Sequence, residues 1–500
     1  MHTDATVAPR RRPLLKRLFV FAGFGIASLT VLVTIAWIVE NIRGKAAWRR
    51  FQAEWTAKGE KFGLAAYVPA RVPDEENFAR TPLLAPLLEY DRRPNVKWRD
   101  PAGQQQAMTL ANPFRNKGKA TAPPLGDWTT AQVVDLEAWR KYLDEHPEFG
   151  GGAQASNAAA AVLTALEHFE PALTELNKAA QRPSAVFPVH YDENFHALLP
   201  HLSVLKGITS ILVLRAVANL AAGNSDRALA DIRLGIRMSD ALKPEPFIIS
   251  QLVRAGMIQQ LMQPVWEGMA ERRWNDSQLS DLQILVRGIP MLEVYGQCTR
   301  GERALGNEMF ERVRSGRVST RELANATSPG LPPTGFVPVG WIYQNQTTLN
   351  RVYQEHVLPI IDLEKRRAFP SRAWTAENLP VLKSRGPYNI MAALLVPAVV
   401  KTASTFARQQ AHLDLAAVAA ALERYRNSHE QYPEHLAELA PGFIATVPDD
   451  VTSGEPLKYE RTADGRYVLY SIGWNEKDDQ GTSPGHHKQT EASGDWVWAY

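Results

Sequence analysis

Histidine and carboxylate side chains lie close together near residue 190, where they could support acid–base or metal chemistry. His190, His196 and His201 follow one another around a proline, with Asp192 and Glu193 beside them. Imidazole and carboxylate groups are frequent general acids, bases and metal ligands. Most histidines in such settings are nevertheless surface residues or core residues with ordinary partners, and we favour that interpretation here.

The sequence lacks the motifs that identify common enzyme classes. His429 and His435 have the wrong spacing for two metal ligands on one helix face. There is no Gly-x-Ser-x-Gly turn, phosphate-binding loop or dinucleotide fingerprint. Cys298 is the single cysteine, which excludes an intramolecular disulfide and a multi-cysteine metal site, and we expect it to be buried. We therefore predict no catalytic residue and favour a protein that is not an enzyme.

Composition places the chain among ordinary globular proteins. Its 500 residues are 45% hydrophobic and 22% charged, and chains of this length form two to four domains at roughly 150 residues each. The net charge is only +3. Without a clustered basic face, this balance argues against nucleic-acid binding.

The clearest physical signal is an uncharged run of 22 residues, Leu18 to Val39. As a helix, such a run spans a hydrocarbon core of about 30 Å. Five basic residues precede it within residues 10–17 and four follow it within residues 43–50. The excess on the N-terminal side favours a cytoplasmic tail over residues 1–17 and a periplasmic location for the bulk of the chain, anchored in a bacterial inner membrane. A cleaved signal peptide is the alternative, but the run is long for one and no small-x-small site follows.

The segment before the apolar run also resembles an export signal. Arg11-Arg12-Pro13-Leu14-Leu15-Lys16 is similar to the twin-arginine pattern of paired arginines before a hydrophobic pair and a lysine. Basic clusters before a membrane helix are common, so we favour a chance match. Either interpretation places most of the protein on the outer side of the membrane.

Residues 40–387 are predicted to be largely helical. Residues 40–130 begin as a helical stalk and continue as a proline-rich wrapping segment. Residues 131–387 form the predicted α-helical domain, interrupted by an exposed loop over 315–340. Its helices include Ser156–Gln181, a tetratricopeptide-like hairpin of His201–Ala222 and Asp226–Leu242, Met291–Arg314, and Trp341–Ala368.

The last quarter, residues 388–500, is predicted to be an α+β domain. An apolar run leads into a long amphipathic helix that ends before Tyr432-Pro433. Leu457–Arg461 and Arg466–Ile472 alternate apolar and polar residues around Ala463-Asp464-Gly465, which indicates a β-hairpin. Trp496–Tyr500 reads as a closing strand of the same small antiparallel sheet.

Several motifs of this quarter resemble the major pseudopilins of type II secretion. They are Ala392-Ala393-Leu394-Leu395-Val396-Pro397, Ala421-Leu422-Glu423-Arg424-Tyr425, Tyr432-Pro433, Val447-Pro448-Asp449, Leu457-Lys458-Tyr459, Tyr470-Ser471-Ile472-Gly473 and the acidic loop Asn475–Gly481. The resemblance covers about 110 residues and implies a pseudopilin-like fold. The whole chain also resembles uncharacterised membrane-anchored proteins of planctomycete and verrucomicrobial bacteria, which implies no activity.

The sequence departs from the pseudopilin pattern at the helix start. Pseudopilins begin at the chain terminus with a processed Gly-Phe motif and a nearby glutamate, whereas here Ser384-Arg385-Gly386-Pro387 precedes the helix deep in the chain. The uncharged run Gly386–Val400 is too short to span a membrane as a helix. We therefore expect it to dock against the preceding helices and not to assemble into a filament.

The resemblance also implies a calcium site in the acidic loop. Asn475, Asp478, Asp479 and Asp495 would supply oxygen ligands of the kind that Ca²⁺ prefers. The loop has a long insertion over Thr482–Ser493, so a solvated acidic turn is the alternative interpretation. His486-His487, within that insertion, is interpreted as exposed and not as a transition-metal site.

Two classes of function agree with these observations. The favoured one is a membrane-anchored, envelope-facing scaffold or interaction protein, associated with a secretion or pilus-like system. The alternative is a periplasmic hydrolase with a site between the helical and C-terminal domains. A polar pocket with converging histidine and acidic side chains would favour the hydrolase, and a smooth apolar groove would favour the scaffold.

Overall fold

The computed structural model describes residues 12–92, 95–114, 121–149, 155–318, 338–384, 386–482 and 494–500. The predicted basic tail before residue 12, most of the loop predicted over 315–340 and the 486–487 histidine pair lie outside these ranges. The described residues are mostly helical, as predicted, and the predicted small antiparallel sheet near the C-terminus is present. Two further two-stranded sheets, over residues 90–98 and 361–368, were not predicted.

The elements follow one another in this order. The helices are α1 (Arg12–Ala57), α2 (Pro101–Thr109), α3 (Leu136–Asp144), α4 (Ala158–Leu166), α5 (Glu170–Ala179), α6 (Pro200–Ala221), α7 (Ser225–Asp240), α8 (Ile248–Ala270), α9 (Asp276–Arg287), α10 (Met291–Arg314), α11 (Val339–Val352), α12 (Pro370–Glu377), α13 (Pro380–Lys383) and α14 (Ile390–His429). The strands are β1 (Tyr90–Asp91), β2 (Lys97–Trp98), β3 (Ile361–Asp362), β4 (Arg367–Ala368), β5 (Lys458–Arg461), β6 (Tyr467–Ser471) and β7 (Trp496–Ala499).

Helix α1 contains the predicted membrane span and continues well beyond it. Its apolar half is uncovered, with Phe19 75% and Phe24 70% exposed. Within the described residues, three helices are long and apolar enough to cross a membrane: Phe19–Ala57, α6 and α14. The most apolar window of the first is 0% buried, whereas those of α6 and α14 are 78% and 56% buried. The N-terminal helix therefore has the length, composition and exposure of a membrane span.

The chain divides into two compact units. The first unit consists of residues 1–61, 309–351 and 380–394, and the second of residues 62–308, 352–379 and 395–500. In the first unit, α1 and α11 approach so closely that a Cβ on Gly44 would lie 2.3 Å from the Gly340 carbonyl oxygen. The Gly340 amide donates to the Asn41 side chain at 2.8 Å. Glycine at this crossing lets the two backbones approach closely enough for the Gly340 amide to reach the Asn41 side chain.

The core of the second unit is built around the helical hairpin of α6 and α7. Leu205, Ile208 and Leu212 of α6 are fully buried, and each buried side chain of this size stabilises the fold by about 1.5–3 kcal/mol. The link between α6 and α7 turns at Gly223, whose φ of +80° few other residues adopt. The hairpin agrees with the prediction, and its likeness to a tetratricopeptide repeat stays a prediction.

Two predicted helices are interrupted in the structure, each at a proline. The helix predicted over Ser156–Gln181 is α4 and α5 with a 3-10 turn between them, and Pro171 lies in the first turn of α5. The helix predicted over Trp341–Ala368 changes to a π-turn after Val352 and then to a 3-10 turn containing Pro359, before β3 and β4. Proline has no N–H to donate to the preceding turn, so an α-helix cannot continue through it undisturbed.

The C-terminal segment has the predicted order of a long helix followed by a sheet. Strand order is β5–β6–β7, with Leu469 opposite Trp498, and both side chains are fully buried. The apolar run at the start of α14 is largely buried, including Ala392 and Val396. The small antiparallel sheet is therefore confirmed, whereas the likeness to pseudopilins and the predicted domain boundaries stay predictions.

Candidate ligand-binding cavity

The second unit contains a cavity of about 670 Å³ bordered by α8, α14, β7 and the loop over residues 123–129. Ligand sites of proteins commonly enclose roughly 300–1,000 Å³. The lining combines aromatic and aliphatic groups with amide, imidazole and charged side chains. The cavity is therefore large enough for a small molecule and has polar groups to orient one.

One face of α8 positions the loop that borders the cavity. Gln259, Gln263 and Glu267 are four residues apart, so they form one row on the helix surface. Gln263 accepts a hydrogen bond from the Trp128 amide at 2.6 Å and donates to the Gln132 carbonyl at 2.9 Å. The row holds the Trp128 loop in place through the backbone as well as through packing.

Glu267 extends the same row and is an unusual carboxylate. It accepts hydrogen bonds from the Val134 amide at 2.9 Å and from Gln263 Nε2 at 2.6 Å. Burial raises the pKa of Glu267 to about 7, although both hydrogen bonds oppose the shift. Its charge therefore changes near neutral pH, at a position that supports the loop and not within the cavity lining.

Helix α14 supplies the imidazole of the cavity, His412. The ring lies 4.6 Å from the Trp128 ring and 6.4 Å from the Trp496 ring, edge to face in both cases. His412 Nδ1 is 3.0 Å from Gln259 Oε1, so Nδ1 carries the proton and Nε2 is left as an acceptor. Burial lowers the pKa of His412 well below its usual range, and nearby Arg408 adds to the effect. The imidazole is neutral at physiological pH.

Gln409 lies one helical turn before His412 and also lines the cavity. The residue is 5% exposed, and its Nε2 has no hydrogen-bond partner among the described residues. A buried donor left unpaired costs about 1–3 kcal/mol. The folded chain therefore retains an unused donor beside the imidazole acceptor.

The two carboxylates of the lining are already engaged. Asp127 accepts from the Thr129 amide at 3.0 Å and the Thr129 hydroxyl at 2.6 Å. Asp495 accepts from the amides of Asp479 at 3.2 Å and Gly481 at 2.8 Å. His412 is thus hydrogen-bonded to an amide oxygen, and its geometry lacks the carboxylate partner of a catalytic histidine.

Asn475, Asp478 and Asp479 of the predicted calcium site lie in one loop, and Asp495 accepts hydrogen bonds from the backbone of that loop. Asn475 Nδ2 donates to Asp479 Oδ2 at 2.9 Å, and the Tyr470 hydroxyl donates to Asp478 Oδ1 at 3.1 Å. Burial raises the pKa of Asp495. Within the described ranges, no three His, Cys, Asp or Glu side chains form a group that could hold a metal ion. The oxygens serve the loop itself in this arrangement, and calcium binding stays a prediction.

The histidines near residue 190 are separated by the fold. His190 Nδ1 is 2.6 Å from Arg92 Nη2, and burial, with help from Arg92, lowers the pKa of His190. His201 is fully buried with its Nε2 2.7 Å from Glu245 Oε1. His196 is exposed. Cys298 is buried as expected, and burial raises the pKa of its thiol.

Sequence reasoning did not single out His412, Gln409 or the row on α8. One signal was present, since glutamines and a glutamate recur every four residues in the mostly apolar α8. Polar residues at this spacing in a buried helix must find partners. The identity of those partners, which lie far away in the sequence, is a property of the tertiary fold.

In comparisons with known proteins, no family model, no curated protein and no solved structure matches the chain.

Proposed function

We propose that the protein is a membrane-anchored, envelope-facing scaffold or interaction protein. The observation that supports this proposal is the uncovered apolar half of α1, whose most apolar window is 0% buried. An uncovered apolar helix of this length is stable in a bilayer and costly in water. The anchor would hold the large folded part at a membrane surface.

The proposed topology follows from the charges around α1. Five basic residues lie between residues 10 and 17, so the N-terminus would remain in the cytoplasm of a bacterial cell and the folded part would lie in the periplasm. Type II secretion or a pilus-like system is the proposed setting, on the strength of the pseudopilin-like sequence motifs. The buried start of α14 argues for a fixed structural role of that helix instead of filament assembly.

Fractionation and protease protection test the anchor and the topology together. We expect the full chain in the membrane fraction, protected in intact cells and digested after the outer membrane is permeabilised. Cross-linking followed by purification from detergent should then recover an envelope protein partner. Recovery of the chain from the soluble fraction, or protection in spheroplasts, would contradict the proposal.

A periplasmic hydrolase is the second candidate, and the polar cavity is the observation in its favour. The cavity lies between α8 of the helical region and α14 with β7 of the C-terminal region, where that hypothesis requires a site. A screen of the purified chain against esters, amides and glycosides tests it, with His412→Gln as the comparison. Turnover that disappears in this variant, together with no recovered envelope partner, would replace the scaffold by the hydrolase.

A further inference from the structure

We infer that the cavity between α8, α14 and β7 binds a small neutral molecule that carries an amide group. The inference concerns a ligand and does not depend on the membrane anchor or on a protein partner. It stands on three separate features of the wall: a donor without a partner among the described residues, an imidazole acceptor, and a glycine with open space beside it.

The donor and the acceptor lie side by side on α14. Gln409 and His412 are three residues apart, so their side chains share a face of the helix. Gln409 Nε2 is a donor without a partner among the described residues, and the tautomer fixed by Gln259 makes His412 Nε2 an acceptor. A ligand that satisfies both must present an acceptor and a donor close together, as the C=O and N–H of an amide do.

Gly256 supplies the space. It lies within α8 and lines the cavity, and a Cβ placed on it meets nothing within 4 Å. Glycine inside a helix costs about 1 kcal/mol relative to alanine, and no neighbour at this position requires it. The missing side chain keeps the α8 wall open opposite the α14 pair.

We infer a neutral ligand because the charged side chains that line the cavity already have partners within the fold. Both oxygens of Asp495 accept backbone hydrogen bonds, and Asp127 is used by Thr129. A cationic ligand would lose its hydration without gaining a free carboxylate. An anionic ligand would gain no free cation either, because Arg408, which also lines the cavity, already has an interaction within the fold. Trp128 and Trp496 add an apolar wall suited to the carbon skeleton beside an amide. An N-acetylated sugar and a short peptide are two sources of this chemistry.

Saturation-transfer NMR on the full chain in detergent tests the inference with three probes. N-acetylglucosamine carries an amide on a sugar, N-acetylalaninamide carries amides without a sugar, and glucose is a sugar without an amide. We expect transfer to at least one amide probe and none to glucose. Transfer to N-acetylglucosamine alone would assign a sugar ligand, whereas transfer to both amide probes would assign the amide itself.

Two cavity variants and one matched control make the test specific. Gln409→Leu should weaken amide binding about tenfold, the effect of one lost hydrogen bond, without lowering the melting midpoint, because it removes an unpaired donor. Gly256→Leu should fill the space and abolish binding while the chain still folds. Gln410→Leu is the control: Gln410 is equally buried, but it bonds the Met291 amide at 3.0 Å and Asp414 Oδ1 at 3.1 Å, outside the cavity.

The control should therefore lower the melting midpoint and leave the affinity for the amide probe unchanged. The inference is overturned if neither amide probe receives transfer, if glucose binds as well as the amides, or if Gln409→Leu and Gly256→Leu both keep the wild-type affinity.

Discussion

Helices α1 and α6 both have the length and mean hydropathy of a membrane span, 2.2 and 1.6 in their most apolar windows, but they meet opposite surroundings. The window in α1 is wholly uncovered, whereas 78% of that in α6 is buried by protein. Helix α6 carries polar side chains that are paired within the fold: Arg215 with Asp231 and His201 with Glu245. Mean hydropathy therefore does not distinguish a membrane helix from a core helix, whereas polar side chains with partners elsewhere in the fold do.

The largest expected effect comes from placing a charge in the core helix. Leu212 of α6 is fully buried, so Leu212→Arg would bury an unpaired cation at a cost of several kcal/mol. We expect the variant to lose cooperative unfolding in a urea titration followed by circular dichroism. Leu212→Met, which nearly conserves volume, should cost less than about 1.5 kcal/mol. A folded arginine variant would mean that α6 is not a core helix.

Removing a partner from α6 should have the next largest effect. Arg215 Nη2 is 2.5 Å from Asp231, which is 3% exposed, and Arg215 Nη1 is 2.7 Å from Glu170, whose side chain is 57% exposed. Asp231→Ala should cost about 3–5 kcal/mol because it leaves a mostly buried cation with only its exposed partner, Glu170. Glu170→Ala should cost less than about 1 kcal/mol. Equal losses in urea titrations would contradict this difference between buried and exposed partners.

The corresponding charge in α1 should affect location and leave the fold unchanged. Leu29 lies near the middle of the uncharged run and is 61% exposed. An arginine at the centre of a spanning helix costs about 3 kcal/mol of insertion free energy. We expect Leu29→Arg to reduce the membrane-bound fraction while the unfolding midpoint of the rest of the chain stays the same. An unchanged fraction would argue against a spanning helix.

A smaller effect, on the pH dependence of stability, is expected from Glu267, whose carboxyl group is buried without a charged partner. Because the pKa of Glu267 rises from 4.5 to about 7 on folding, the folded state holds a proton that the unfolded state has released between these values. The free energy of unfolding should therefore decrease as pH rises, by about 2 kcal/mol between pH 5 and pH 7 from this group. Glu267→Gln keeps an acceptor oxygen and should remove this part of the pH dependence. Parallel pH profiles for both proteins would contradict the assignment.

The smallest effect is expected at the acidic loop. Asp495 and Asp479 already share hydrogen bonds with the loop backbone and with Asn475, so a chelator should leave the melting midpoint unchanged. A midpoint that rises with added calcium and falls with chelator would instead support the calcium site implied by the pseudopilin resemblance. Asp495→Asn should then abolish that dependence.

Local signals explain which parts of the fold were predictable. Helix α10 has the predicted bounds, Met291–Arg314, and the strand pair β5–β6 lies where alternation around Gly465 predicted it. These features depend on neighbours in the sequence. The prediction of a helix over Trp341–Ala368 was wrong beyond Val352. There the chain forms a π-turn, then a 3-10 turn that contains Pro359, and then the hairpin of β3 and β4. Pro359 can be read from the sequence, but the turns and the hairpin that replace the helix cannot.

The cavity could not be predicted from local sequence patterns, because the residues that form it are far apart in the sequence. Gln263 and Trp128 are 135 residues apart in sequence, and His412 and Gln259 are 153 apart. In the sequence His412 is one polar residue in a long helix, and nothing nearby indicates that two tryptophans will flank it. Such a site emerges only when distant helices and a loop are packed together.

The direct contact between Gly44 and Gly340 has a mechanical consequence. Helix α1 runs unbroken over 46 residues, about 69 Å at 1.5 Å per residue, so no flexible linker separates its apolar half from this contact. The Gly340 amide is bonded to Asn41 on the same helix. If the apolar half spans a bilayer as proposed, a tilt or rotation of that half would be transmitted directly to α11, because one continuous helix joins it to this contact.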